Sequence, residues 1–308
     1  MLYLIGSIVL SSFLTLAFKL CGRLKIDIFP TIVFNYITCV ITGSIVNGAF
    51  PVNSKVVSMP WFYWAILMGA MFISLFNLIG ITTQRNGVAV ASVSNKLSLI
   101  IPVLLSVYLY NESVYGWKLA GVLLALVAVV FTCLPAKYSK TSSQNAEQKS
   151  SPKTGRKISG NLQGFLPVIL FVGSGLLDAL INHVQKHFVT DANSNAYLIS
   201  GFLFAAIIGL TVLFFQYATR QREFDRKHVI AGVLIGIPNY FSIWCLLIFL
   251  KKSPWESSAS IPMNNMGIVL FSTLIAALFF KEKLSAINWL GVVLSIVSIY
   301  MIAFGNQW

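Results

Sequence analysis

Two stretches decide the fold: Asn95–Gly121, NKLSLIIPVLLSVYLYNESVYGWKLAG, and Asn265–Gly291, NMGIVLFSTLIAALFFKEKLSAINWLG. At a constant offset of 170, Asn95 meets Asn265, Leu104 meets Leu274, Glu112 meets Glu282 and Gly121 meets Gly291. Each stretch is an apolar run, an acidic residue in a tight turn, and the start of a second apolar run. Nearer the start of each half the order recurs at an offset of 167: Gly6-Ser7 meets Gly173-Ser174, and Lys19 meets Lys186. Composition alone could produce any one of these matches. Their shared order argues for an internal duplication.

The duplicated material is apolar. Of 308 residues 57% are hydrophobic and 10% charged, against about a quarter charged in a soluble domain. Such a chain cannot make a charged, water-facing skin. Apolar runs lie near 2–20, 30–50, 60–83, 88–110, 114–134, 164–186, 195–217, 228–250, 258–280 and 285–304, each about long enough for a hydrocarbon core of ~30 Å. The expectation is an all-α integral membrane protein with ten transmembrane helices in two five-helix repeats, 1–135 and 161–308. Between them the Ser/Lys-rich segment 136–160 is too polar to bury apolar surface and reads as a disordered linker. Pro30 opens the second span and Pro51 closes it, where a missing N–H costs least. Six tryptophans (Trp61, Trp64, Trp117, Trp255, Trp289 and Trp308) fall near span ends, the interfacial position for an amphipathic ring, whereas Trp244 falls inside the eighth span. Met1–Leu20 lacks the basic start of a signal peptide and reads as a retained first helix.

Five spans per repeat turn the second copy upside down relative to the first. Seventeen of the 22 Lys and Arg fall in the loops after spans 1, 3, 5, 7 and 9, Lys96 counted with its nearest loop. Basic loops stay in the cytoplasm, which places the linker inside and both termini outside. The net charge of +13 therefore requires no nucleic acid. Four scattered cysteines without CxxC spacing read as small core residues, not a disulfide framework or metal site. Inverted repeats are the architecture of alternating-access transporters, with the substrate site near the midplane between the repeats.

The helix pairs that end each half carry a family likeness. Leu250–Ile302, LKKSPWESSASIPMNNMGIVLFSTLIAALFFKEKLSAINWLGVVLSIVSIYMI, has a small-residue-rich span, an acid just beyond it, a short turn, and Trp-x-Gly opening the last helix. Gln84–Leu126, QRNGVAVASVSNKLSLIIPVLLSVYLYNESVYGWKLAGVLLAL, follows the same outline. The chain resembles the drug/metabolite transporter superfamily, in its EamA-like branch. It departs from the pattern at Asn95 and Asn264-Asn265, near which many members have proline. The resemblance implies that spans 1–4 and 6–9 line a central cavity, that spans 5 and 10 are peripheral, and that substrates are amino acids or other metabolites.

Of nine acids, Asp178 alone lies well inside a span. A carboxylate there is costly and marks function by default, with a structural hydrogen-bonding role as the other reading. Asn182, Gln185 and Lys186 share its helical face, and Lys186 can equally snorkel to the interface. Lys96, beside Asn95, would attract an anion in a cavity, or snorkel to the cytoplasmic side. Tyr240 and Trp244, four residues apart after Pro238, form either an aromatic wall or core packing. Asn265 and other polar residues within spans bind substrate or bridge helices. His183 and His187 have metal-clamping spacing, but no further ligand is assured and no metal is expected. The candidate substrate site is therefore Asp178, Asn182, Lys96, Asn95, Tyr240, Trp244 and Asn265. Asp178 facing an ammonium and Lys96 a carboxylate would suit a zwitterion, unless the two neutralise each other as a structural pair.

The sequence thus reads as a secondary transporter, an exporter of a small amino-acid-like metabolite in a bacterial inner (cytoplasmic) membrane. It needs no cofactor, and protons or another ion would couple it. A carrier of drugs or lipid precursors would share this fold. A membrane-embedded enzyme would need a nucleophile–base pair, a metal cluster or paired acids, and one Asp with two adjacent His supplies none of these. There is no G-x-x-x-x-G-K-[ST] loop for ATP.

Overall fold

The computed structural model describes residues 2–101, 105, 116–133, 160–190, 193–252, 257–281 and 284–304. The linker, Glu112, Glu282, Trp255 and Trp308 lie outside these residues. Among the described residues every regular element is helical. Among them the longer helices are α1 Leu2–Arg23, α2 Ile28–Val46, α3 Phe62–Asn86, α4 Val88–Leu97, α5 Trp117–Cys133, α6 Gly160–His187, α7 Ser194–Ala218, α8 Arg226–Lys252, α9 Ser257–Phe279 and α10 Ala286–Phe304, and a single turn spans Ser54–Val57. Six stretches are long and apolar enough to cross a membrane: Leu2–Arg23, Ile28–Val46, Phe62–Asn86, Gly164–Gln185, Ser194–Ala218 and Arg226–Phe249. Leu119–Thr132, Asn264–Phe279 and Ala286–Met301 are shorter apolar helices. The chain is an integral, multi-pass membrane protein.

Local chemistry sets the helix ends. Asp27 caps α2, its carboxylate accepting the Phe29 N–H at 3.3 Å. Pro30 accordingly sits in the first turn rather than opening the helix. Pro51 does not close it either: α2 stops at Val46, where the Asn47 N–H bonds back to the Gly43 carbonyl, the Gly48 N–H to the Ile45 carbonyl, and Gly48 turns with φ 76°. Helix α4 ends at Leu97, and Ser98 and Leu99 form a turn that closes with the Ile101 N–H on the Ser98 carbonyl at 2.9 Å. Trp61 is another correction. It is fully buried, its ring edge-on to Tyr197 at 5.6 Å, so it packs inside the bundle instead of resting in a lipid interface.

Helices pair across the two halves: α2 with α8, α3 with α7, α1 with α8 and α9, α6 with α3 and α4, and α5 with α10. Exchanging each helix with the one five places on maps these pairs onto one another. The close approaches follow the same exchange. A methyl on Gly69 of α3 would fall 2.6 Å from Phe204 Cβ and 2.8 Å from the Ala205 nitrogen of α7. A methyl on Gly236 of α8 would fall 2.5 Å from Thr38 Cβ and 2.7 Å from the Asn35 carbonyl of α2. Gly69 and Ala205 become Gly236 and Thr38 at the offset of 167. Likewise Gly6 lies against Cys245 and Gly173 against Leu75, while Ile8 lies against Gly267 and Gly175 against Ile101. Small residues let backbones approach where no hydrophobic drive separates helix from lipid.

Buried side chains form two clusters. The larger is built mainly from α1–α3 and α6–α8 around Phe18, Tyr36, Trp61, Met68, Tyr197 and Phe202. The smaller joins Val93 and Leu97 of α4 to Ala125 and Ala128 of α5, Val269 of α9, and Val292 and Ile299 of α10. At one end of the bundle the loops of the two halves are tied together. The Arg23 guanidinium donates to the Phe280 carbonyl at 2.7 Å and lies 4.5 Å over the Phe280 ring, and Arg222 pairs with Asp27. Among the described residues three non-glycine residues have left-handed backbone, and all three are basic: Lys25, Arg220 and Lys281 at φ 56°, 53° and 53°. Each follows the end of a helix.

Candidate substrate site between α4 and α6

Helix α6 shows a lipid-like stripe of exposed Phe165, Val168, Ile169, Val172 and Leu176. At 3.6 residues per turn, Asp178 projects about 140° round the helix from the middle of that stripe, on the side of buried Pro167 and Ser174. Yet Asp178 is itself exposed. An exposed side chain on the protein-facing side opens onto space between helices, and charge there marks a pathway rather than a packed core. Gln185, also exposed, continues this face toward the end of α6. Asn182 belongs to the same helix.

Helix α4 supplies the opposite wall. Lys96 lies near enough to Asp178 for their charges to act on each other, and Ser98 shares a hydrogen bond with the carboxyl group. The Ser98 hydroxyl also lies 2.5 Å from the Asn95 carbonyl, which can accept its hydrogen. Glycine makes this proximity possible. A methyl on Gly175, one turn before Asp178, would fall 2.5 Å from Ile101 Cδ1 and 2.8 Å from the Ser98 carbonyl. Opposite charges that act on each other in a low dielectric interact strongly, and each must be hydrated, paired or bound to ligand.

The structure thus gathers Asp178, Lys96 and the backbone of Asn95, and adds Ser98. Nothing in the sequence singles Ser98 out, because only the α4–α6 contact gives that serine a carboxyl partner. Asn265 is buried on α9, beside Asn264, whose side-chain oxygen is buried without a hydrogen-bond partner. Helix α9 is fixed to α4 by a 2.9 Å hydrogen bond between the Ser272 and Ser92 hydroxyls. The aromatic pair lies elsewhere. Tyr240 is 3% exposed, and a methyl on Gly43 would fall 2.8 Å from its Cε2, so it fills the contact of α2 with α8. Trp244 is edge-on to Tyr3 at 6.2 Å and to Phe241 at 6.0 Å. Next to Tyr240, Asn239 donates to Asn35 Oδ1 at 3.2 Å and lies 3.5 Å from Cys39 Sγ, a buried polar bridge between α2 and α8. His183 and His187 have ring centroids 4.7 Å apart, close to Trp64 and Phe188. Among the described residues no group of three His, Cys, Asp or Glu could hold a metal ion.

This site, an acid and a base opening between two packed helices of an apolar bundle, can now be set beside known proteins. Residues 165–304 match the EamA-like transporter family. The second half of the chain is therefore similar to an EamA-like transporter unit. An uncharacterized protein of Haemophilus influenzae is 26% identical over 98% of this chain and 97% of its own length. An uncharacterized transporter of Bacillus subtilis, YdfC, is 32% identical over 33% of each chain. A solved crystal structure superposes on 100% of this chain and 98% of its own, with a TM-score of 0.62 at 16% identity, a likeness of fold alone. The transporter-named relative and the EamA-like match together support membrane transport. Asp178 lies within the matched residues and Lys96 before them, so the charges at the site come from both halves.

Proposed function

We propose that the chain is a secondary transporter that exports a small amino-acid-like metabolite by alternating access between two inverted five-helix repeats. The observation that carries the site is Asp178, exposed on the inward face of α6 with Lys96 of α4 opposite. A zwitterion satisfies both charges at once, its ammonium on Asp178 and its carboxylate on Lys96, whereas an uncharged solute would leave both without a ligand. Asn182, Asn95 and Asn265 add polar contacts to this site. Tyr240 and Trp244 act through the α8 packing that shapes its wall. The matched close approaches at Gly69 and Gly236 support the inverted repeat. Two packed cross-half pairs, α2 with α8 and α3 with α7, then work as equivalent pivots. The loops rich in Lys and Arg face the cytoplasm of a bacterial inner membrane, and protons or another ion drive the cycle.

Transport into proteoliposomes, screened with radiolabelled amino acids, tests this reading. Asp178→Asn and Lys96→Gln should each abolish uptake while eluting as folded protein. Unfolding in either variant that the double variant relieves would make the two a structural ion pair. Full transport by both variants would remove them from the site.

A further inference from the structure

The Ser98 hydroxyl has two neighbours and one hydrogen. It lies 2.5 Å from the Asn95 carbonyl, which only accepts, and it shares a hydrogen bond with the Asp178 carboxyl group. Two arrangements satisfy the three groups. With Asp178 ionised, the hydroxyl turns its hydrogen to the carboxylate. With Asp178 protonated, the carboxylic acid donates its own hydrogen to Ser98 Oγ, and Ser98 donates to the Asn95 carbonyl. Rotation about one side-chain bond separates the two, and neither leaves a buried donor without an acceptor.

We infer that Ser98, Asp178 and the Asn95 carbonyl form a reversible proton site, with Ser98 as the positioning residue that holds Asp178 in either protonation state. The step is a simple transfer: a proton from water bonds a carboxylate oxygen of Asp178, and the same O–H bond breaks when the proton returns to water. Exposure of Asp178 between the helices gives water its route. Among described groups, Lys96 of α4 is the charged one facing Asp178, while α3 presents Leu75 and Trp64 to α6, neither of them titratable. The inference rests on the reading above only in placing Asp178 on the transport path, where a proton and the ammonium of a substrate would occupy the carboxylate in turn.

Infrared difference spectroscopy of the full-length protein in lipid, titrated from about pH 4 to about pH 9, reads this site without any transported molecule. A carboxylic C=O band that Asp178→Asn removes is expected to appear and vanish reversibly. Ser98→Ala should move that band upward in frequency, as for an acid that has lost its hydrogen-bond partner, and Ser98→Thr should return it. Absence of a band lost in Asp178→Asn, or a band unmoved by Ser98→Ala, overturns the inference. Because the band needs no substrate, a titrating band in a protein that moves no amino acid would refute the substrate class and leave the proton site standing.

Discussion

Replacing Gly69 or Gly236 by alanine should wedge apart two helix crossings by the same amount. The added methyl at Gly69 would lie 2.6 Å from Phe204 Cβ, 2.8 Å from the Ala205 nitrogen and 2.9 Å from the Gly201 carbonyl. At Gly236 it would lie 2.5 Å from Thr38 Cβ, 2.7 Å from the Asn35 carbonyl and 2.9 Å from Thr38 Cγ2. Ordinary contact begins near 3.4 Å, so each crossing must open by close to an ångström. Several obstructing atoms are backbone, which cannot swing aside as a side chain can. Overpacking of this kind costs about 1–3 kcal/mol. Gly164→Ala is the control: nothing lies within 4 Å of its added methyl, and alanine in an exposed helix gains up to about 1 kcal/mol over glycine. Equilibrium unfolding in mixed micelles with rising SDS, followed by circular dichroism, measures all three. Losses in the two crossing variants that agree within about 0.5 kcal/mol would support equivalent pivots. If both alanines are neutral, or one is costly and the other harmless, the argument from matched crossings is wrong.

Three other outcomes are expected. Asn288 donates to the Phe131 and Thr132 carbonyls at 3.1 and 3.0 Å while accepting from the Ser285 N–H and hydroxyl; Asn288→Ala should therefore cost about 1–3 kcal/mol in the same SDS titration, mainly by loosening α10 from α5. A cysteine added after Trp308 should react with a membrane-impermeant maleimide from outside, and one at Ser143 should not; the reverse pattern would invert the orientation. Exchanging Ser142–Ser151 for a Gly/Ser stretch of equal length should leave transport nearly unchanged, and loss of activity with normal insertion would give that segment a role of its own.

Much of the scaffold was legible because hydrophobicity is a local signal. The runs read at 195–217 and 228–250 are the helices Ser194–Ala218 and Arg226–Lys252. Ends were harder to place, since a cap is a contact rather than a composition. Asp27 starts α2 three residues before Pro30, and Asn47-Gly48 stop it short of Pro51. Position near a span end did not distinguish Trp61, enclosed by the bundle, from Trp117 and Trp289, which are exposed. Asp178 stood out because an acid inside an apolar run is conspicuous. Spacing left Tyr240 either in an aromatic wall or in core packing, because spacing does not say which helix a face meets, and here it meets Gly43. Ser98 was invisible for the complementary reason. Its distinction comes entirely from what α6 brings to it.

The three basic residues in left-handed backbone have a meaning for how the protein is made. Glycine would adopt the conformations of Lys25, Arg220 and Lys281 at no steric cost, whereas an ordinary side chain carries a penalty of about 1 kcal/mol at each. During synthesis the helix ends do not yet exist, but positive charge near an emerging span already biases which way it enters the bilayer. At these positions the chain retains a signal read by the insertion machinery at some expense to the finished fold. Lys25→Gly, Arg220→Gly and Lys281→Gly combined should therefore separate two quantities usually taken together: molecules that insert correctly should resist unfolding better, while a smaller fraction of newly made chains inserts correctly.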